Sequence, residues 1–340
     1  MKPEDDFVEK LRALLPRADS VLVGPGDDAA IVDRGAGPLA ATTDLLVEGV
    51  DFFSDEDPQR LGRRAVSVSL SDLAAVGAQP EFFLLSIAFP PERGGAFALE
   101  VARGAAERAA QFGAHLVGGD LSSAPSVLLS VAFWGRPAGE PLRRSGASRG
   151  DSLYVSGHPG QAAAGLHLTR RLNAFAAQGS FPTLRFPEIS AADQERLIDA
   201  YRDPMPRVAL GLALARERLA TAAIDVSDGV GIDAGRLARA SGVRCVLERP
   251  RLPLSGALLS FATMEDLDPV DLFLAGGDDY ELLFAVVEGE AERLTRAASG
   301  LDVPVRRIGR IERGEGAVLE GPEGIRNVAD LGYDHFEART

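Results

Sequence analysis

The chain has 340 residues, 46% hydrophobic and 25% charged, enough for two globular domains with substantial cores. Its net charge of −14 excludes nucleic acid and anionic membrane surfaces as natural partners, but admits a phosphorylated small molecule when a divalent cation stands between phosphate and carboxylate. A single cysteine, Cys245, excludes a disulfide framework, and the only two lysines, Lys2 and Lys10, exclude a Walker A loop and a strand lysine of the protein-kinase type.

The opening "MKPEDDFVEKLRALL" reads as an acidic amphipathic helix start and not as a signal peptide, and no apolar run is long enough to span a bilayer; the expected location is the cytoplasm. Residues 20–32 and 38–53 read as strands. Asp57 then caps a helix whose first residue is Pro58 and whose stop is Gly77. The strand "PEFFLLSIAF" follows, then an alanine-rich helix ending at Gly113, then two strands, "HLVGGDLS" and "SVLLSVAFWG". The Gly, Pro, Ser and Arg of 138–150 read as a linker between an N-terminal domain, 1–137, and a C-terminal α/β domain, 151–340.

Beyond that linker the spacing predicts strand "SLYVSG", helix 161–175, a polar segment near 178–195, and helix 206–219. Strand 222–226, helix 231–241 and strand 243–248 come next. The run 275–286, "AGGDDYELLFAV", reads as a buried strand, followed by a short helix and strands near 303–320. This alternation gives an α/β (α+β) fold class.

Acidic residues stand at the ends of apolar strands or beside glycine: Asp27 and Asp28, Asp44, Asp72, Asp120, Asp225 and Asp228, Asp278 and Asp279. Strand ends are where α/β folds place ligands. Carboxylates gathered there without companion histidine or cysteine suit Mg²⁺, Mn²⁺ or Ca²⁺. Thr42, Thr43 and Ser227 add short oxygen donors beside them. Each aspartate alone has an alternative role as a cap, which Asp57 fills and which Asp228 is placed to fill ahead of 231–241. "VGGD" offers backbone N–H groups to a phosphate, or else forms an ordinary turn. Arg144 offers a guanidinium fork to phosphate oxygens.

The ordered series "GPGDDAAIV", "TTDLLVEGV", "SVSLSDLAAVGAQP", "LVGGDLS", "RSGASRGDSLYVSG", "AIDVSDGV", "GGDDYELLF" and "GYDHF" resembles the thiamine-monophosphate kinases, within the aminoimidazole-ribonucleotide-synthetase-like superfamily of ATP users, from about residue 20 to 336. The resemblance implies two α/β domains, the N-terminal one pairing with its twin into a homodimer around a shared β-barrel. It implies direct in-line transfer of the ATP γ-phosphoryl group to thiamine monophosphate, with several Mg²⁺ ions. By position, Asp28, Thr42, Thr43, Asp44, Asp72, Asp120, Asp225 and Asp228 become the metal shell, with Asp72, Asp120 and Asp228 the catalytic set. Gly119, Asp120, Arg144 and Ser227 become ATP contacts, and Asp51, Asp278 and Tyr333 thiamine-side contacts. The chain departs from the family pattern at two of these, with Asp51 where histidine is usual and Asp278 where glutamate is usual. The competing readings are another ATP-using member of the superfamily, similar to aminoimidazole ribonucleotide synthetase, a non-catalytic nucleotide sensor, and a metal-dependent phosphatase.

Overall fold

The computed structural model describes residues 21–23, 26–33, 35, 37–177, 186–301, 303–334 and 336. The expected N-terminal helix start and His335 of "GYDHF" lie outside the described residues. The chain divides into two compact units, one running to Arg143 and taking in Met205–Arg218, the other formed by Arg144–Pro204 and the residues from Leu219 onward. The division falls inside the stretch 138–150 expected as a linker, and the first unit recruits a segment from within 151–340.

The first unit holds strands β1 (Val21–Val23), β2 (Ala30–Asp33), β3 (Pro38–Val47), β4 (Ala78–Phe89), β5 (His115–Ser123) and β6 (Leu128–Pro137). They form one sheet in the order β1-β2-β3-β6-β4-β5. Its strands pair antiparallel except β4 and β5, which run parallel with Leu85 opposite Gly119. The sheet is open: β1 and β5 are its two ends, and no closed barrel exists within one copy among the described residues. β3 stops at Val47, short of the expected 53, because Asp51 Oδ2 accepts the Val47 N–H at 2.7 Å and closes a turn.

Helix α1 (Pro58–Ala75) begins as its sequence dictates, with the Asp57 carboxylate accepting the Arg60 N–H at 2.8 Å, and it ends before Gly77 at φ +67°. It is buried on most faces, Leu61, Ala65, Val66, Leu70, Leu73 and Ala74 lying between α2 (Gly94–Gln111) and the sheet. The α1–α2 crossing is close enough to require glycine on both helices: a Cβ at Gly62 would sit 2.0 Å from the Val101 carbonyl oxygen, and one at Gly104 1.9 Å from that of Gln59.

The second unit opens with β7 (Ser152–Ser156), α3 (Gln161–Ala177) and α4 (Ala191–Arg202). α4 occupies part of the segment expected to be irregular: Ser190 caps it, and Gln194, Leu197, Ile198 and Tyr201 form its buried face at helical spacing. Next in the chain, α5 (Val208–Arg216) belongs to the first unit, against α1 and β4. The second unit resumes with β8 (Ala220–Val226), α6 (Val230–Ser241), β9 (Arg244–Glu248), α7 (Gly256–Glu265), α8 (Pro269–Ala275), β10 (Glu281–Val286), α9 (Ala291–Ala298), β11 (Val305–Glu312), β12 (Ala317–Gly321) and β13 (Gly324–Asn327). Its sheet runs β13-β12-β9-β11-β7-β10-β8. The centre is apolar on both faces, and all six residues of β10 are buried. The opening residues of "AGGDDYELLFAV" therefore end helix α8 and form a loop, and only Glu281–Val286 is strand. The helices α7 and α8, capped by Ser255 and Asp268, fill a stretch where the sequence reading placed no element. Among the described residues, no helix is long and apolar enough to cross a membrane.

Candidate active site

In the first unit, period-two alternation along β3 puts Thr42 and Asp44 on one face, and the i, i+3 spacing on α1 puts Ser69 and Asp72 on another. These faces meet. The Thr42 hydroxyl donates to Asp72 Oδ2, and the Ser69 hydroxyl donates to Asp44 Oδ2 at 2.6 Å. Asp28 joins them, with a carboxylate oxygen within 4.8 Å of one of Asp72. Asp28 is only 7% exposed, and the neighbouring Asp27 spends its own side chain on the Asp28 N–H at 3.1 Å. Two carboxylates this close repel unless a cation lies between them. The donors are all hard oxygens, so the set fits Mg²⁺ and does not fit a metal that selects nitrogen or sulfur.

Burial pushes the Asp44 carboxyl up to about 6, against the opposing hydrogen bond from Ser69. Without a bound cation, the folded protein holds a proton here that the unfolded chain gives up near pH 4. Stability therefore falls as pH rises from about 4 to about 6 and loses nothing further from this group above that window. Asp44→Asn is expected to flatten this part of the slope, leaving the parts due to Asp233, raised to about 7, and to Asp279, which burial also raises. Denaturant midpoints of the metal-free protein at pH 4.5, 6 and 7.5 would check this.

The structure separates other expected residues of this unit from that cluster. Thr43 points to the opposite face of β3 and is exposed. Asp120 stands on β5, an exposed end strand, in register with Ser86. "VGGD" is thus strand interior and not a turn, and Gly119 has a packing reason: a Cβ there would lie 1.8 Å from the Leu85 carbonyl oxygen. Asp51 carries the structural turn described above.

In the second unit, Asp225, Ser227, Asp228, Asp278 and Tyr333 gather at the end of β8. Asp225 is 4% exposed and lies in register with Leu282 of β10. The chain then leaves the strand through Ser227 and Asp228 and enters α6 at Gly229, whose φ is +127°. Backbone bonds draw in the rest: Asp278 N–H to Ser227 O at 2.6 Å, Tyr280 N–H to Val226 O at 2.8 Å, and Tyr333 N–H to Asp228 O at 3.0 Å.

Asp228 does not cap α6, as its position suggested. The buried Asp233 does so from inside the helix, accepting the N–H groups of Asp228 and Gly229 at 3.2 Å each. Burial raises the Asp233 carboxyl to about 7, the nearby Arg236 and Arg144 opposing the shift. Arg236 bridges the Asp228 and Asp233 carboxylates. Arg144 is also anchored by its carbonyl, which accepts from the Ser241 hydroxyl at 3.0 Å.

The pair Asp278–Asp279 divides its labour. Asp279 accepts the Gly160 and Ala162 N–H groups at 2.7 and 3.3 Å, capping α3. Its burial raises its pKa, the two N–H bonds opposing. Asp278 accepts from the Tyr280 hydroxyl at 2.8 Å instead. Glu281, 5% exposed, takes the Ser156 hydroxyl at 2.5 Å and leaves no room for a side chain at Gly157.

The tract Gly146–Gly150 spells G-x-S-x-G, yet it is irregular and forms no strand-to-helix elbow, with the Ser148 N–H donating to Asp151 Oδ2 at 2.9 Å. Cys245 is fully buried and its thiol is pushed up to about 12, which removes it as a nucleophile. Sequence reasoning missed Ser69, Asp233, Arg236 and Tyr280. The available signals were Ser69 three residues before Asp72, and Asp233 three before Arg236, each pair on one helical face.

The chain is similar to known proteins over nearly its whole length. The N-terminal domain model of the AIR synthase related proteins matches residues 26–136, and the C-terminal domain model of the same family matches residues 148–321. The chain is 35% identical over 323 residues to the thiamine-monophosphate kinase of Salmonella typhimurium, covering 93% of this chain and 92% of that protein. Among solved structures it is similar to AaThiL complexed with AMPPCP and TMP, with a TM-score of 0.80 at 28% identity over 98% of this chain and 96% of that one. The thiamine-monophosphate kinase of Stenotrophomonas maltophilia gives a TM-score of 0.74 at 36% identity, covering 94% and 97%.

Proposed function

This chain belongs to the thiamine-monophosphate kinase family, and we propose that it transfers the γ-phosphoryl group of ATP directly to the phosphate of thiamine monophosphate, giving ADP and thiamine diphosphate. The observation that carries the reading is the oxygen cluster of Asp28, Thr42 and Asp72, which suits Mg²⁺ and lies within the first family domain.

The acceptor is a phosphate oxygen, ionised at neutral pH, so the reaction needs no strong general base. What it needs is alignment of two polyanions and relief of their repulsion. Mg²⁺, when bound, neutralises phosphate charge and orients the transferring group. The chain's own task is to hold oxygen ligands in place. Thr42 fixes the direction of Asp72, Ser69 that of Asp44, and Asp233 with Arg236 that of the Asp228 loop.

We assign Asp28, Thr42, Asp44, Asp72 and Asp120 of the first unit, and Asp225 and Asp228 of the second, to Mg²⁺. Gly119, Asp120, Arg144 and Ser227 are assigned to ATP, and Asp51, Asp278 and Tyr333 to the thiamine side. The enzyme is proposed to work in the cytoplasm as a homodimer. The end strand β5 supports the second copy, since its outer edge is unpaired among the described residues and it exposes Val117 at 60% and Leu121 at 64%.

Directness is testable by stereochemistry. ATP made chiral at the γ position with sulfur and oxygen isotopes is expected to give thiamine diphosphate with inverted configuration. Retention would indicate a phospho-enzyme and overturn the in-line reading.

A further inference from the structure

We propose that Tyr280 is a positioning residue for the acceptor side, its buried hydroxyl setting the direction in which Asp278 presents its charge to the substrate. The proposal rests on the assignment of Asp278 to the thiamine side. Its own ground is the loop Gly276–Tyr280.

Three residues of that loop have left-handed backbone: Gly277 at φ +69°, Asp278 at +60° and Tyr280 at +51°. Aspartate tolerates this region, whereas a bulky tyrosine rarely enters it. Such a conformation persists only when its surroundings over-determine it, and such residues gather at functional sites. Here the tethers are the Asp278 and Tyr280 N–H groups, held by the carbonyls of Ser227 and Val226. They extend the β10–β8 pairing, which begins at Glu281 opposite Val226, back through the loop.

The result is a tyrosine folded inward, 7% exposed, with its hydroxyl donating to Asp278 Oδ1 at 2.8 Å. Asp278 is half-buried, more open than the tyrosine that donates to it. The adjacent Asp279 is committed to the N-terminus of α3 and is not available for the same task. A hydroxyl donor ties down one carboxylate oxygen, so the group keeps a fixed direction. A cationic thiazolium ring is the matching chemistry. Direction counts for more in this chain because aspartate, one methylene shorter than glutamate, has less reach to compensate for a wrong rotamer.

Tyr280→Phe removes the hydroxyl and keeps the ring. Steady-state kinetics on Tyr280→Phe, Asp278→Asn and the double variant, with thiamine monophosphate and ATP varied separately, test the proposal. Tyr280→Phe is expected to raise KM for thiamine monophosphate about tenfold, with KM for ATP and Tm unchanged, and to add nothing on top of Asp278→Asn. An unchanged KM in Tyr280→Phe beside a raised one in Asp278→Asn would overturn the role of Tyr280 alone. An unchanged KM in Asp278→Asn would instead remove the assignment of Asp278, and the proposal with it. A lowered Tm with both KM values raised, or full additivity in the double variant, would assign Tyr280 to the fold and also overturn it.

Discussion

Asp72→Asn is expected to lower kcat by on the order of 10³-fold while Tm stays the same or rises. Asparagine keeps the size of the side chain and still accepts the Thr42 hydroxyl, so the α1–β3 contact survives. What disappears is a carboxylate with an oxygen within 4.8 Å of one of Asp28. In the metal-free protein that removes a repulsion, which is why stability does not suffer. In the loaded enzyme it removes a charge that only a cation can offset, so the deficit appears in Mg²⁺ dependence and in turnover. Thr42→Val, which leaves the charge and removes only its hydroxyl support, is expected to cost about 10–100-fold. Steady-state rates across a Mg²⁺ titration, with melting curves of the same preparations, separate the two effects. Near-normal turnover in Asp72→Asn would remove Asp72 from the metal shell.

Gly104→Ala is expected to destabilise the fold by about 3 kcal/mol. The new Cβ meets the Gln59 backbone, with the carbonyl oxygen 1.9 Å away, and a helix backbone cannot swing aside as a flexible side chain can. Gly62→Ala, 2.0 Å from the Val101 oxygen, should behave alike. A control lies on the same helix: Gly95, in the first turn of α2, has nothing within 4 Å of its Cβ position. Gly95→Ala should be neutral or add up to about 1 kcal/mol. Urea midpoints of the three variants check this ordering. Because α1 carries Ser69 and Asp72, a shift at this crossing should also lower activity in whatever fraction remains folded.

Features with local causes were legible in the sequence. Asp57, Pro58 and Gly77 marked α1, because caps and stops act within one turn of chain. Asp44 and Asp72 stood out because a carboxylate beside an apolar strand or helix face needs a partner. Their actual hydroxyl partners were not legible: Ser69 lies 25 residues from Asp44 and Thr42 lies 30 from Asp72, and only the fold brings them together. Asp233 and Arg236 were passed over in the sequence, and they matter because the Asp233 carboxylate accepts the N–H groups that enter α6 and Arg236 bridges it to Asp228. "HLVGGDLS" was legible as a strand, but the reason for its Gly119 was not: the close approach of the Leu85 backbone comes only with the β4–β5 pairing. α4 escaped notice because its buried face is short and includes the polar Gln194. The acidic pair 278–279 stood out in the sequence, yet its division, with Asp279 capping α3 and Asp278 accepting from Tyr280, needed the position of the α3 N-terminus.

The most direct test of the central claim is phosphorus NMR of the purified protein with ATP, thiamine monophosphate and Mg²⁺. The account predicts ADP and thiamine diphosphate appearing in equal amounts, and neither when Mg²⁺ is chelated. Release of inorganic phosphate without thiamine diphosphate, or ATP bound and never turned over, would contradict it.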